Sequence, residues 1–315
     1  MFKYDKNYIS KRASEYGFVR DTLEKVYRLA DILEYLNTEP ILKDKLALKG
    51  GTAINLTVFN LPRLSVDIDL DYLINDSREK MLHNREMIHS TLANYMEKSG
   101  YNLSPKTMNP HSLDSWVYEY VNLGGNKDNI KVEINYSLRA HILPAQEMQI
   151  ITEHFESEYK LNCLNAIEIF GSKVNALLSR AAARDLYDIY NMIRFGIFDE
   201  TEQQLLRKCV VFYAAISAKK MNKTFNTAAI DRISAYKIRT DLLPVLTKRD
   251  SFDLETAKKV VKDYLSELMI LTTSEQEFLN RFEAKAYMPQ MIFDDMQIVK
   301  RIENHPMALW KVRQE

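Results

Sequence analysis

Residues 64–72, LSVDIDLDY, alternate without interruption between apolar and polar side chains. Such alternation marks a β-strand with two unlike faces, because successive side chains point to opposite sides of the pleat. Val66, Ile68, Leu70 and Tyr72 share one face; Asp67, Asp69 and Asp71 share the other. Aspartate is a poor strand former, and like charges on one face repel. A chain that keeps this face must leave it in water at a sheet edge or set cations against it.

The surroundings point to cations and phosphate. Residues 46–48 lead into Gly50, Gly51 and Thr52, and residues 53–59 read as a helix start. A strand–glycine–helix junction turns backbone N–H groups toward an anion, and the helix N-terminus favours negative charge. Thr52 adds a hydroxyl, and Arg63, just ahead of the aspartate strand, can fork onto phosphate oxygens. Carboxylates two apart on a strand can share hard divalent cations, Mg²⁺ above all, together with substrate phosphates.

The rest of the chain sorts into a mixed front and a helical back. Residues 20–36 are apolar at helical spacing through Leu23, Val26, Tyr27, Leu29, Ala30, Leu33 and Leu36, and residues 77–98 read as a charged helix. WVYEYVNL (116–123) and NIKVEINYSL (129–138) flank a Gly/Asn/Asp-rich turn and predict a β-hairpin. Its second strand puts Ile130, Val132, Ile134 and Tyr136 on one face and Lys131, Glu133 and Asn135 on the other. Beyond about residue 144 the strand pattern stops. Residues 165–194 and 200–285 show helical spacing, with a turn at Pro244 and residues 248–253. The expected class is α+β, with a site-bearing domain over residues 1–145 and a helical domain over residues 146–315.

Composition narrows the function classes. The 315 residues are 46% hydrophobic and carry no formal net charge, which argues against a protein that coats nucleic acid with its whole surface. No run approaches the roughly 18 apolar residues of a membrane helix, and the N-terminal stretch lacks a signal-peptide core, so the cytoplasm is the expected location. Cys163 and Cys209 match no zinc spacing and are expected to be buried free thiols. No histidine sits beside a Ser or Cys in a nucleophile elbow.

GGT, fourteen residues and DID, with Arg63 and Ser65 just ahead, resembles the nucleotidyltransferase fold of the DNA polymerase β type, and Glu133 in VEI matches that fold's third carboxylate. More closely, LKGGTAINL and LPRLSVDIDLDY resemble the AbiEii toxin family of type IV toxin–antitoxin and abortive-infection systems. SKVNALLSRAAARDLYDIYNM (172–192) is similar to that family's second block, and NHPMALWK (304–311) to its end. Where many members carry lysine before the D-L-x-D-I run, this chain has Arg184.

The resemblance implies a nucleotidyltransferase with Asp67, Asp69 and Glu133 on two Mg²⁺ or Mn²⁺ ions. Gly50, Gly51, Thr52, Arg63 and Ser65 would lie along the NTP, and Asp71 outside the ligand set. Lys173 would contact the triphosphate, with Arg180, Arg184, Asp185 and Asp188 completing the pocket. Helical spacing alone would equally allow Arg180, Arg184, Asp185 and Asp188 to form surface pairs. The implied acceptor is a tRNA 3′ end, and the implied partner an AbiEi-like antitoxin encoded nearby. A nucleotidyltransferase acting on a small molecule, and a nucleotide-binding protein without catalysis, are the alternatives. A basic face of Lys219, Lys220, Lys223, Arg232, Lys237 and Arg239, with Phe225 and Tyr236 as stacking platforms, is weighed against a plain solvated surface. Trp310 is expected to anchor packing, and residues 287–296 to fill core or interface.

Overall fold

The computed structural model describes residues 2–110, 112–151, 159–217, 221 and 223–314. They divide into two compact units: Met1–Arg139, Ala145–Leu164 and Pro244–Asp250 form the first, and Ala140–Pro144, Asn165–Leu243 and Ser251–Glu315 the second. The division is therefore not a single cut near residue 145.

The first unit holds a seven-stranded mixed sheet in the order β3-β4-β5-β2-β1-β7-β6. Its strands are β1 (Leu46–Lys49), β2 (Asp67–Tyr72), β3 (Asn102–Leu103), β4 (Leu113–Val121), β5 (Lys127–Asn135), β6 (Gln146–Gln149) and β7 (Lys160–Cys163). β4 and β5 are the hairpin expected from alternation. β6 and β7 are a correction: they lie where no strand was expected, and each has only four residues, too few to display a period of two. β2 is central, antiparallel to β1 and parallel to β5. The aspartate strand thus lies inside the sheet, so the edge-strand explanation for its acidic face does not hold.

Register carries the alternation across the sheet. Leu48 pairs with Leu70, Ile68 with Val132, and Val132 with Trp116, so one face is continuous apolar core. Among the described residues, four helices complete the unit: α1 (Lys6–Tyr16), α2 (Arg20–Thr38), α3 (Gly50–Thr57) and α4 (Arg78–Lys98). α2 and α4 stack through Tyr35 and Tyr95, whose rings lie 3.8 Å apart. α4 also lays His89 against Trp116, which places it on the apolar face. Pro244–Asp250, expected only as a turn, is a strap on this unit. Leu64 N donates to the Val245 carbonyl at 2.8 Å, and Lys248 N to that of Gly17 at 2.8 Å.

The second unit is helical. It comprises α5 (Ala166–Arg180), α6 (Ala183–Arg194), α7 (Glu200–Ile216), the short α8 (Ala228–Asp231) and α9 (Ala235–Lys237), α10 (Leu254–Leu268), α11 (Thr273–Glu283), α12 (Met296–Ile302) and α13 (Pro306–Arg313). The helical pattern over 165–194 is broken at Ala181, which adopts φ +52 and lets α6 start afresh. Glu168 on α5 is buried and gathers the Ile142 and Leu143 amides at 3.1 and 3.0 Å, the Tyr213 hydroxyl, and His141 at 3.4 Å. Those donors bind the segment Ala140–Pro144 to the helices. Cys163 and Cys209 are free and buried, and burial pushes the Cys163 thiol up to about 12. Among the described residues, no helix is long and apolar enough to cross a membrane.

Candidate active site

β1 ends at Lys49, and α3 begins at once with Gly50. The reversal is tight because Gly50 takes φ +70, a conformation that side chains strain. A Cβ there would fall 2.6 Å from Asp69 Oδ2, and one on Gly51 would fall 2.6 Å from Arg63 Nη2. The positive φ favours glycine at position 50, and at both positions an added side chain would have to push a neighbour aside, Asp69 at the first and Arg63 at the second. The N-cap residue Lys49 makes no side-chain cap hydrogen bond, and the first turn of a helix presents backbone donors that attract an anion.

The polar face of the sheet is built by register. Asp69 stands between Glu133 on β5 and Lys49 on β1, and Asp67 pairs with Lys131. Asp67 and Asp69 are half-buried. Lys131 Nζ holds Glu133 Oε1 at 2.9 Å, with the side chains 39% and 27% exposed. A pair so open to water contributes about 0–1 kcal/mol and is easily exchanged. Asp67, Asp69, Asp71 and Glu133 thus share one face of the sheet with Lys49 and Lys131.

Carboxylate oxygens gathered on one face suit a hard divalent cation such as Mg²⁺, with Asp67, Asp69 and Glu133 as the fitting residues. Among the described residues no three His, Cys, Asp or Glu side chains already converge on one point. Convergence here needs side-chain rotation, with Glu133 leaving Lys131.

Asp71 is not solvated. It is 2% exposed, and Lys49 Nζ reaches it at 2.5 Å. The sequence reading passed over Lys49, although its place before the glycine pair was a usable sign. Thr52 is also buried: its hydroxyl lies 2.5 Å from the Asp67 carbonyl and 2.9 Å from Ser65 Oγ, so it braces the turn against β2. Arg63, expected on phosphate, is 2% exposed and donates from Nη1 to the Leu64 carbonyl at 2.9 Å. Its guanidinium supports Gly51 from within the fold.

A cavity of about 280 Å³ lies elsewhere, lined by Arg85, His89, Asp114 and Trp116 among others. Trp116 belongs to the apolar face, and Arg85 already neutralises Asp114 through two-pronged contact.

In the second unit, Lys173 on α5 lies between two carboxylates of α6, 3.0 Å from Asp185 Oδ1 and 2.8 Å from Asp188 Oδ2. Arg180 closes on Asp185 Oδ2 at 2.7 Å. Lys173, Asp185 and Asp188 are all buried, so the three-residue spacing of the aspartates is not a surface pairing. It aims both at one lysine. Arg184 turns away, donating to the Asp241 carbonyl at 2.8 Å.

The back-half expectations separate. Lys219 and Lys220 lie outside the described residues. Lys223 is engaged by Glu283, and Phe225 is buried at φ +48, so it is no base platform. Arg232, Arg239 and Tyr236 are exposed. Trp310 is 47% exposed and does not anchor a core. Of residues 287–296, Ile292 and Phe293 are buried but Met296 is exposed.

The family described as "Nucleotidyl transferase AbiEii toxin, Type IV TA system" matches residues 31–285, well over half of the chain. A comparison with curated proteins gives no significant match. Among solved structures, MenT4, a nucleotidyltransferase toxin from Mycobacterium tuberculosis H37Rv, is similar with a TM-score of 0.64 and 18% identity, over 99% of this chain and 100% of that one. At that identity the likeness shows a shared fold. The family match reaches further: the chain belongs to the AbiEii family of nucleotidyl transferase toxins of type IV toxin–antitoxin systems.

Proposed function

We propose that the protein transfers a nucleoside monophosphate from an NTP to the 3′ end of a tRNA, in a reaction that depends on Mg²⁺, and that this transfer is how it inhibits growth. The observation that carries the reading is the alignment of Asp69 with Glu133 across β2 and β5, with Asp67 two residues away on the same face.

Asp67, Asp69 and Glu133 would hold the divalent ions, which when bound supply charge neutralisation at the reacting phosphate. The residues themselves orient and accept. Glu133, released from Lys131, takes the proton of the attacking hydroxyl. A bond forms between that oxygen and the α-phosphorus, and the bond to the leaving pyrophosphate breaks. The first turn of α3 offers backbone donors to the phosphates. By the resemblance, Lys173, with Asp185 and Arg180 around it, would be a triphosphate contact. An antitoxin partner belongs to this reading through the family.

The test is incubation with each α-labelled NTP, purified tRNA and Mg²⁺, with Asp67→Ala as control. Labelled tRNA and free pyrophosphate are expected, abolished by chelation and by the substitution. Label passing only to a small molecule, or release of nucleoside diphosphate in place of pyrophosphate, would overturn the reading.

A further inference from the structure

Asp71 has no part in the transfer just described, yet it is 2% exposed and ion-paired. A buried ion pair is a weak source of stability, because desolvation of both ions offsets their attraction. What the pair does is geometric. Lys49 is opposite Asp69 in the β1–β2 register, and its side chain runs diagonally to Asp71, two pairs further along the strands and on the same face. That contact fixes a four-carbon stem which would otherwise sample many rotamers.

The fixed ammonium has three features of a polyphosphate contact. It lies on the carboxylate face. It belongs to the residue immediately before Gly50 and the first turn of α3, and is not used to cap that turn. Its side chain keeps 24% exposure, so it is not sealed away as Asp71 is. An ammonium also has three donor hydrogens, and Asp71 engages it through one oxygen. Repulsion between a triphosphate and the acidic face would be relieved locally by a cation held there.

We infer that Lys49 contacts the triphosphate of the incoming nucleotide, and that Asp71 is the positioning residue that holds its ammonium in place. The inference rests on this face being the nucleotidyl-transfer site, and it assigns both residues a task beyond the metal ligands.

The test compares unsubstituted protein with Lys49→Met and with the double variant Lys49→Met/Asp71→Asn. The single change strands a buried carboxylate and risks misfolding; the double change removes both charges, and its fold is checked by thermal melting. Inorganic triphosphate and the nucleosides are then used as competitors of transfer. The expected result is that the double variant is inhibited about tenfold or more weakly by inorganic triphosphate, while nucleoside inhibition stays the same. A purely structural role would move both alike or neither, and either result would overturn the assignment. Asp69→Asn separates the two claims. If it leaves transfer intact, this face is not the transfer site, and both fall. If it abolishes transfer while the double variant keeps its triphosphate inhibition, Lys49 alone is wrongly assigned.

Discussion

Asp69 and Glu133 are register partners across the parallel pair β2 and β5, although they lie far apart in sequence. The pairing sets two carboxylates side by side on a face that also carries Asp67, and it makes their substitution a sharp test. Asp69→Asn and Glu133→Gln should each lower transfer by about 100-fold or more. Stability should change by less than about 1 kcal/mol, because each change relieves like-charge repulsion on a half-buried face. Kinetics alongside urea denaturation would show it; a large loss of stability would mean that the carboxylates serve the fold.

Gly50 should not tolerate a side chain. Gly50→Ala adds a methyl 2.6 Å from Asp69 Oδ2 at a residue with φ +70. The backbone strain alone costs about 1–2 kcal/mol, and the methyl must displace the carboxylate. Both the melting temperature and transfer should fall. Gly100→Ala, at φ +84 with nothing within 4 Å, is the control: strain without a clash. Its transfer should be retained.

Lys173→Met should be among the most destabilising single changes in the second unit. It leaves Asp185 and Asp188 buried without the ammonium they share, although Arg180 still reaches Asp185. Breaking a buried pair from one side costs about 3–5 kcal/mol. Adding Asp188→Asn should restore part of that loss, which denaturant midpoints of the single and double variants would reveal.

Glu168 predicts an acid limit to stability. Burial pushes its carboxyl up, but His141, the Tyr213 hydroxyl and the Leu143 amide outweigh burial and hold it below its ordinary value of 4.5. A depressed carboxyl stabilises the fold above its unfolded value, and that contribution is lost as pH falls through the lower folded value. The stability difference between the unsubstituted protein and Glu168→Gln should therefore be constant near neutrality and shrink below about pH 4.5. Denaturant midpoints from pH 7 down to pH 3 would measure it.

Much of the site was legible because its signals are local. Alternation in LSVDIDLDY separated the acidic face from the apolar one, and Gly50 and Gly51 marked the turn. The hairpin placed Glu133 on a polar face by the same period of two. Lys49 stood beside the glycine pair, but its contact with Asp71 was not legible: the partner is 22 residues away and is reached diagonally, so no spacing advertises it. Arg63 and Thr52 read as ligand-facing because their chemistry suits phosphate, whereas burial turned them inward to support Gly51 and Asp67. Asp185 and Asp188 read equally well as surface residues, since helical spacing does not say what covers a helix.

The sequence by itself determined which residues could share a face, because strand and helix periods depend only on positions along one segment. It also determined the family, through motifs that are contiguous. Only the tertiary structure decided that β2 is central, that Asp69 meets Glu133, and that Asp71 is bound to Lys49 while Lys173 takes both aspartates of α6. Those are contacts between segments distant in the chain, fixed by sheet register and by desolvation, and neither is a property of any one stretch.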